Sequence, residues 1–121
     1  MLNPTVDLLL IHSGKVRDAY DARDCRLLMV TSDRISAYEV VMDEPSPDKG
    51  RVLTAMTAFW YERFTELVAG HLMSTAAGDL AEVLGGAEAD DRVGRTMLCR
   101  RAEVLTIECI VRGYITGSAW K

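Results

Sequence analysis

Few residues in this chain belong to the types on which common hydrolytic and metal chemistries depend. It has two histidines, His12 and His71, and three cysteines, Cys25, Cys99 and Cys109. Neither histidine stands in a context that suggests a Ser-His-Asp or Cys-His hydrolase. The cysteines are odd in number and lack metal-ligand spacing. Each lies in or beside an apolar run, and each reads as a buried, reduced thiol. No apolar run approaches the length of a membrane span, and the N-terminus lacks the layout of a signal peptide, so the cytoplasm is the expected compartment. Basic residues are in deficit, 14 against 18 acids for a net charge of -4, which argues against a general binder of nucleic acid or membrane surfaces. Any anion must therefore be gripped by locally placed cations. With 49% hydrophobic and 26% charged residues, and no internal repeat or low-complexity linker, residues 1–121 read as one globular domain.

The periodicities predict an α+β domain: an antiparallel sheet of five or more strands with one long packing helix. Leu8-Leu9-Leu10-Ile11 is a short apolar run ending at His12-Ser13-Gly14. Lys15 to Tyr20 alternates with period two, which places Lys15 and Arg17 on one face of a strand and Val16, Asp18 and Tyr20 on the other. After a polar turn at residues 21–24, Leu27-Leu28-Met29-Val30-Thr31 completes a hairpin. Pro45-Ser46-Pro47-Asp48-Lys49-Gly50 breaks regular structure twice and reads as a loop. Residues 52–68 then switch to the helical period, with Val52, Met56, Phe59, Trp60, Phe64, Leu67 and Val68 on one apolar face expected to pack on the sheet. Gly70 suits the helix stop, and His71 a contact with its C-terminus. Residues 71–76 are weakly strand-like. Asp79 is expected to cap a short helix closed by Gly85-Gly86. An acidic loop at residues 88–91 precedes two further strands, Thr96 to Leu105 and Thr106 to Tyr114.

The last stretch carries the clearest chemistry. In Arg112-Gly113-Tyr114-Ile115-Thr116-Gly117-Ser118, the arginine offers a planar fork of donors to a phosphate or carboxylate. A Gly-Ser turn opening a helix adds backbone N–H groups and a hydroxyl. If Arg112 ends a strand and Ser118 opens a helix, both reach one anion. The chain stops at Lys121, where such a helix would begin, so the sequence reads as cut. Gly14-Lys15 lacks the upstream glycine of a P-loop, and that reading fails.

Four motifs occur in one order: Ser13-Gly14-Lys15-Val16-Arg17-Asp18, Thr31-Ser32-Asp33-Arg34-Ile35-Ser36-Ala37-Tyr38, Pro47-Asp48-Lys49-Gly50, and Val111-Arg112-Gly113-Tyr114-Ile115-Thr116-Gly117-Ser118-Ala119-Trp120-Lys121. From about Leu10 onward the sequence closely resembles the N-terminal part of the phosphoribosylaminoimidazole-succinocarboxamide synthases, the SAICAR synthetases of purine biosynthesis. The resemblance implies a ligase that joins L-aspartate to carboxyaminoimidazole ribonucleotide with ATP and magnesium. It implies a sheet-and-helix domain, similar to the small lobe of kinases, that covers the nucleotide. Gly14, Lys15, Val16 and Arg17 match the strand over the ATP phosphates, with Lys15 in contact with them. Arg100 to Leu105 match the hinge that meets adenine. Asp33, Ser36 and Lys49 match the segments lining the cleft near the reacting groups. Arg112 and Ser118 match the pair that holds the ribonucleotide phosphate.

Amide formation from a carboxylate needs an activated acyl group, and an acyl phosphate made from ATP fits. Phosphoryl transfer is mainly a matter of positioning and charge neutralisation, so no side-chain nucleophile is required, and no catalytic residue is assigned. Two departures from the resemblance stand out. Glu39 occupies a position where relatives usually carry Asp. The half expected to supply the magnesium-binding acids and the cleft floor is absent from the sequence. Three readings follow: the N-terminal part of a working ligase, a repurposed module binding a phosphorylated ligand, or a structural module whose bare apolar wall pairs with another chain or itself. The chain alone is expected not to form the succinocarboxamide.

Overall fold

The computed structural model describes residues 8–38, 40–85 and 92–120. Glu39, the acidic loop at 88–91, Gly86 and Lys121 lie outside the described residues. Strands β1 (Leu10–Ser13), β2 (Arg17–Asp21), β3 (Arg26–Thr31), β6 (Leu72–Ser74) and β7 (Thr96–Arg100) form an antiparallel sheet in the order β1-β2-β3-β7-β6. A small second ladder pairs β4 (Ser36–Ala37) with β5 (Val40–Val41). The expected α+β class and the hairpin of β2 with β3 are both present. The hairpin closes through Arg23, Asp24 and Cys25, all at positive φ.

Alternation along the central strands divides the core. Tyr20, Leu28, Val30 and Leu98 lie on one face, where Leu80 of helix α2 (Ala77–Leu84) buries completely among them. Asp79 sits in the first turn of α2, but the cap position is Ala76 and makes no side-chain capping bond. Thr31, Met97 and Cys99 occupy the other face.

Helix α1 (Lys49–Arg63) lies against β3. It begins at Lys49, inside the expected loop, and ends earlier than expected, with turns continuing to residue 67. Its packing also corrects the expectation. The buried positions are Gly50 and Thr54, and the Thr54 hydroxyl donates to Thr31 Oγ1 at 3.2 Å. Val52, Met56, Phe59, Trp60, Phe64, Leu67 and Val68 are exposed. The small and polar side of α1 can approach the backbone at the end of β3 closely, and this brings the helix in with its apolar stripe outward. Phe59, Trp60 and Phe64 pack on one another there, with ring centroids 5.2 and 5.3 Å apart. Tyr61, at the end of α1, bonds His71 Nδ1 at 2.8 Å, so His71 meets a phenol and not the helix terminus.

Only Cys99 is a buried thiol; Cys25 and Cys109 are exposed. The two last expected strands are also corrected. β7 ends at Arg100, and residues 101–115 carry no regular structure and are exposed throughout, with Val111 98% accessible. In a strand, Leu105, Ile107, Cys109 and Val111 would make one continuous apolar face, opposite a mixed face of Val104, Thr106, Glu108, Ile110 and Arg112, and such a strand needs an apolar surface to cover it. No element among the described residues supplies it. No described helix is long and apolar enough to cross a membrane.

Candidate functional site

The link between β1 and β2 is a tight turn. Gly14 N–H donates to Arg17 O at 2.8 Å, which takes Lys15 and Val16 out of the strand expected for them. A Cβ on residue 14 would come within 3.1 Å of that same oxygen. Every carbonyl of the turn is occupied. Gly14 O accepts Arg34 Nη2 at 3.1 Å, and Lys15 O accepts Arg34 Nε at 3.4 Å. Val16 O accepts both the N–H and the hydroxyl of Ser32, each at 2.8 Å. Arg34 also bonds Asp18 Oδ1 at 2.9 Å, and Asp18 takes the Ser13 hydroxyl at 2.6 Å. Lys15 is thus displayed at an exposed corner on a backbone pinned from behind.

Beside it, Asp33 organises the start of α1. The residue before the helix, Asp48, sits in the left-handed region at φ 62° and makes no side-chain cap. Asp33 takes over that role from the end of β3. Its Oδ1 accepts Gly50 N–H at 2.8 Å, and its Oδ2 lies 3.2 Å from Arg95. Burial pushes the Asp33 pKa up. The Gly50 N–H, the Arg95 guanidinium and the Asp48 N–H outweigh it and hold the carboxyl below the usual range. Lys49 reaches back to Arg34 O at 2.8 Å with one of its three donors. Ser36 is half-buried in β4. Lys15, Arg34, Lys49, Arg51 and Arg95 gather around Asp18, Asp33 and Asp48, so cations outnumber carboxylates at this corner of a chain of net charge -4.

Arg17 belongs elsewhere. Its guanidinium donates to Thr57 Oγ1 of α1 at 3.0 Å, on the α1 side of the sheet. The expected strand face shared by Lys15 and Arg17 does not exist, because the turn ends before Arg17. Arg100 is the last residue of β7 and pairs across from Arg26; Leu105 lies in the exposed segment beyond. Arg112 does not end a strand. It is nonetheless brought to Ser118, with Nη2 3.0 Å from the hydroxyl, and Ser118 lies in a single 3₁₀ turn, Gly117–Trp120. Of the expected site residues, Gly14, Lys15, Val16, Asp33 and Lys49 thus share a corner completed by Asp18, Ser32, Arg34, Gly50 and Arg95, and Ser36 follows in β4. Arg112 and Ser118 form a separate pair, and Arg17, Arg100 and Leu105 belong to neither. Sequence reasoning missed Arg34 and Arg95. Arg34 sits inside a motif already singled out, whereas Arg95 meets Asp33 across 62 positions of chain and leaves no local signal.

The family model for SAICAR synthetase matches residues 10–121. The chain belongs to the SAICAR synthetase family. Relatives named phosphoribosylaminoimidazole-succinocarboxamide synthase include those of Maridesulfovibrio salexigens, 49% identical over 115 residues, and Syntrophotalea carbinolica, 53% identical over 115 residues. Each match covers 95% of this chain and 38% of the relative, so the chain spans little more than a third of these synthases. A solved SAICAR synthase from Saccharomyces cerevisiae complexed with SAICAR superposes with a TM-score of 0.83 at 39% identity, over 93% of this chain and 40% of the other. The SAICAR synthetase relationship therefore covers both the sheet-and-helix unit and nearly all of the exposed C-terminal segment.

Proposed function

We propose that this chain acts as the N-terminal, nucleotide-covering part of an ATP-dependent ligase that joins L-aspartate to carboxyaminoimidazole ribonucleotide in the cytoplasm. The observation that carries the reading is the match at about half identity, over 95% of this chain, to synthases named for that product. The local chemistry agrees. Lys15, at the tip of the pinned turn, is the cation offered to the ATP phosphates, with Gly14 and Val16 shaping the approach. Asp33, Ser36 and Lys49 line the neighbouring wall. Arg112 and Ser118, already in contact, grip the phosphate of the ribonucleotide. Arg17 contributes by steadying α1 through Thr57, and the backbone from Arg100 to Leu105 remains the adenine-facing candidate.

The donor set suits ATP, since Lys15 and Lys49 are the kind of groups that neutralise a polyphosphate. Among the described residues no three of His, Cys, Asp and Glu come together, and magnesium bound with ATP would take its acids from the remainder of the synthase, completing its shell with phosphate oxygens and water. What these residues do is bind and orient: they fix phosphates by charge and hydrogen bonding, which is most of what phosphoryl transfer asks of a protein. The outward apolar stripe of α1 supports pairing with further protein surface. Light scattering of the isolated chain is expected to show association, and a strict monomer at high concentration removes that part.

The test is binding of a ribonucleoside monophosphate, read by NMR shift perturbation. The parent is expected to respond at Arg112 and Ser118. Arg112→Lys keeps the charge but loses the fork and weakens binding. Ser118→Ala costs about 1.5–3 kcal/mol, the range for a hydrogen bond to a charged group. Equal affinities in all three proteins rule out this phosphate grip.

A further inference from the structure

We propose that Arg34 is a positioning residue, a latch that fixes the turn at residues 14–16 in the shape that presents Lys15. This rests on the reading of Lys15 as a phosphate contact. One guanidinium spans two consecutive carbonyls, Gly14 O at 3.1 Å and Lys15 O at 3.4 Å, and reaches the first residues of β2 through Asp18 at 2.9 Å. The planar fork makes this span possible from a single side chain; a lysine, with its donors on one atom, cannot hold separated acceptors in this way. Asp18 has only 13% of its side chain accessible, so the pair works partly shielded from water, where a charged hydrogen bond is worth more. The backbone of residue 34 is fixed in turn. Its N–H meets Ser32 Oγ at 3.3 Å, and its carbonyl takes the Lys49 ammonium at 2.8 Å. A chain of contacts therefore runs from the first residue of α1, through Arg34, to the backbone that carries Lys15.

Arg34 commits Nε and Nη2 to Asp18 and two carbonyls, while 35% of its side chain stays accessible. On the positioning reading its effect on a ligand passes through Lys15, and a direct contact by the rest of the guanidinium is the competing outcome. A residue that acts by contact and one that acts by positioning then differ in a measurable way. Removing Arg34 loosens the turn, and it has no further effect on ligand affinity once Lys15 is gone.

The experiment compares the parent, Arg34→Gln, Arg34→Lys, Lys15→Ala and the double variant Arg34→Gln/Lys15→Ala. Amide hydrogen exchange comes first. Gly14 N–H and Ser32 N–H, which bond Arg17 O and Val16 O, are expected to exchange about tenfold faster or more in Arg34→Gln, with Arg34→Lys between it and the parent. The ladder between β3 and β7 keeps its protection. Uniform acceleration of turn and ladder together, or an unchanged turn, overturns the latch. ATP titration follows. Lys15→Ala is expected to lower affinity, and Arg34→Gln to lower it in the parent but not in the Lys15→Ala background. Equal losses in both backgrounds overturn the positioning role. An unchanged affinity in Lys15→Ala removes the phosphate reading itself, and the exchange data alone then judge the latch.

Discussion

Replacing Gly50 with alanine tests how α1 is seated on the sheet. Gly50 is the second residue of α1, and a Cβ built there would lie 2.5 Å from Thr31 O and 3.1 Å from both the Thr31 carbonyl carbon and Asp33 Oδ1. The obstacle is backbone, which cannot rotate away as a flexible side chain can. Relief requires the first turn of α1 to retreat by about 0.5–1 Å, set by ordinary van der Waals separations. The retreat stretches the 2.8 Å bond from Gly50 N–H to Asp33. Overpacking of this kind costs about 1–3 kcal/mol, against a gain of about 0.4–1 kcal/mol from the stiffer unfolded chain. Gly78 supplies the control. It is also the second residue of its helix, α2, and a Cβ there meets nothing within 4 Å. Gly78→Ala should therefore stabilise by about 0.4–1 kcal/mol, and Gly50→Ala should destabilise by a net of roughly 1–2 kcal/mol. In urea this lowers the midpoint for Gly50→Ala by roughly 0.5–1 M and raises it for Gly78→Ala. If both variants shift the midpoint upward by similar amounts, the close seating of α1 on β3 is wrong.

Asp33→Asn removes a charge that bonds Gly50 and Arg95, and should cost about 1–3 kcal/mol near neutral pH. The folded-state carboxyl lies below its usual range, so its contribution is complete above the unfolded value of about 3.9 and disappears as pH falls through the folded value. The stability gap between parent and variant, followed by urea titration from pH 6 to 3, should be flat above about pH 5 and close below about pH 4; a gap independent of pH contradicts this. Burial raises the Cys99 thiol to about 11, with Arg17 opposing it weakly. At pH 8 a thiol reagent should label Cys25 and Cys109 promptly and Cys99 only after unfolding. Prompt labelling of all three cysteines would mean that the α1 face of the sheet is open.

The hairpin was legible because period-two alternation and a polar turn point to one antiparallel pairing, whereas its register, with Tyr20 opposite Leu28, and the start of β2 at Arg17 depend on turn geometry that the pattern does not state. The helix was legible as a helix, but its orientation was not. Periodicity identifies the apolar stripe of Val52, Met56, Phe59 and Trp60, and the natural inference is that the stripe faces the core. Here Gly50 and Thr54 face inward, because close approach to Thr31 and the Asp33 cap select small and polar groups at the start of the helix. The apolar stretch from Val104 to Tyr114 has the composition of a strand, yet pairing depends on a neighbour that no local pattern specifies. The site was legible as far as it is local. Lys15, Asp33 and Lys49 stand in compact motifs, while the bond from Arg95 to Asp33 joins residues far apart in the chain.

The most direct measurement of the central claim uses a chimera. The matching N-terminal segment of the Maridesulfovibrio salexigens synthase, 49% identical over 115 residues, is replaced by this chain, and succinocarboxamide formation is assayed with ATP, magnesium, L-aspartate and carboxyaminoimidazole ribonucleotide. The chimera is expected to be active, with a rate that collapses on Lys15→Ala and a ribonucleotide KM that rises on Arg112→Lys. A chimera that folds and binds ATP but forms no product, or one indifferent to both substitutions, contradicts the proposed function.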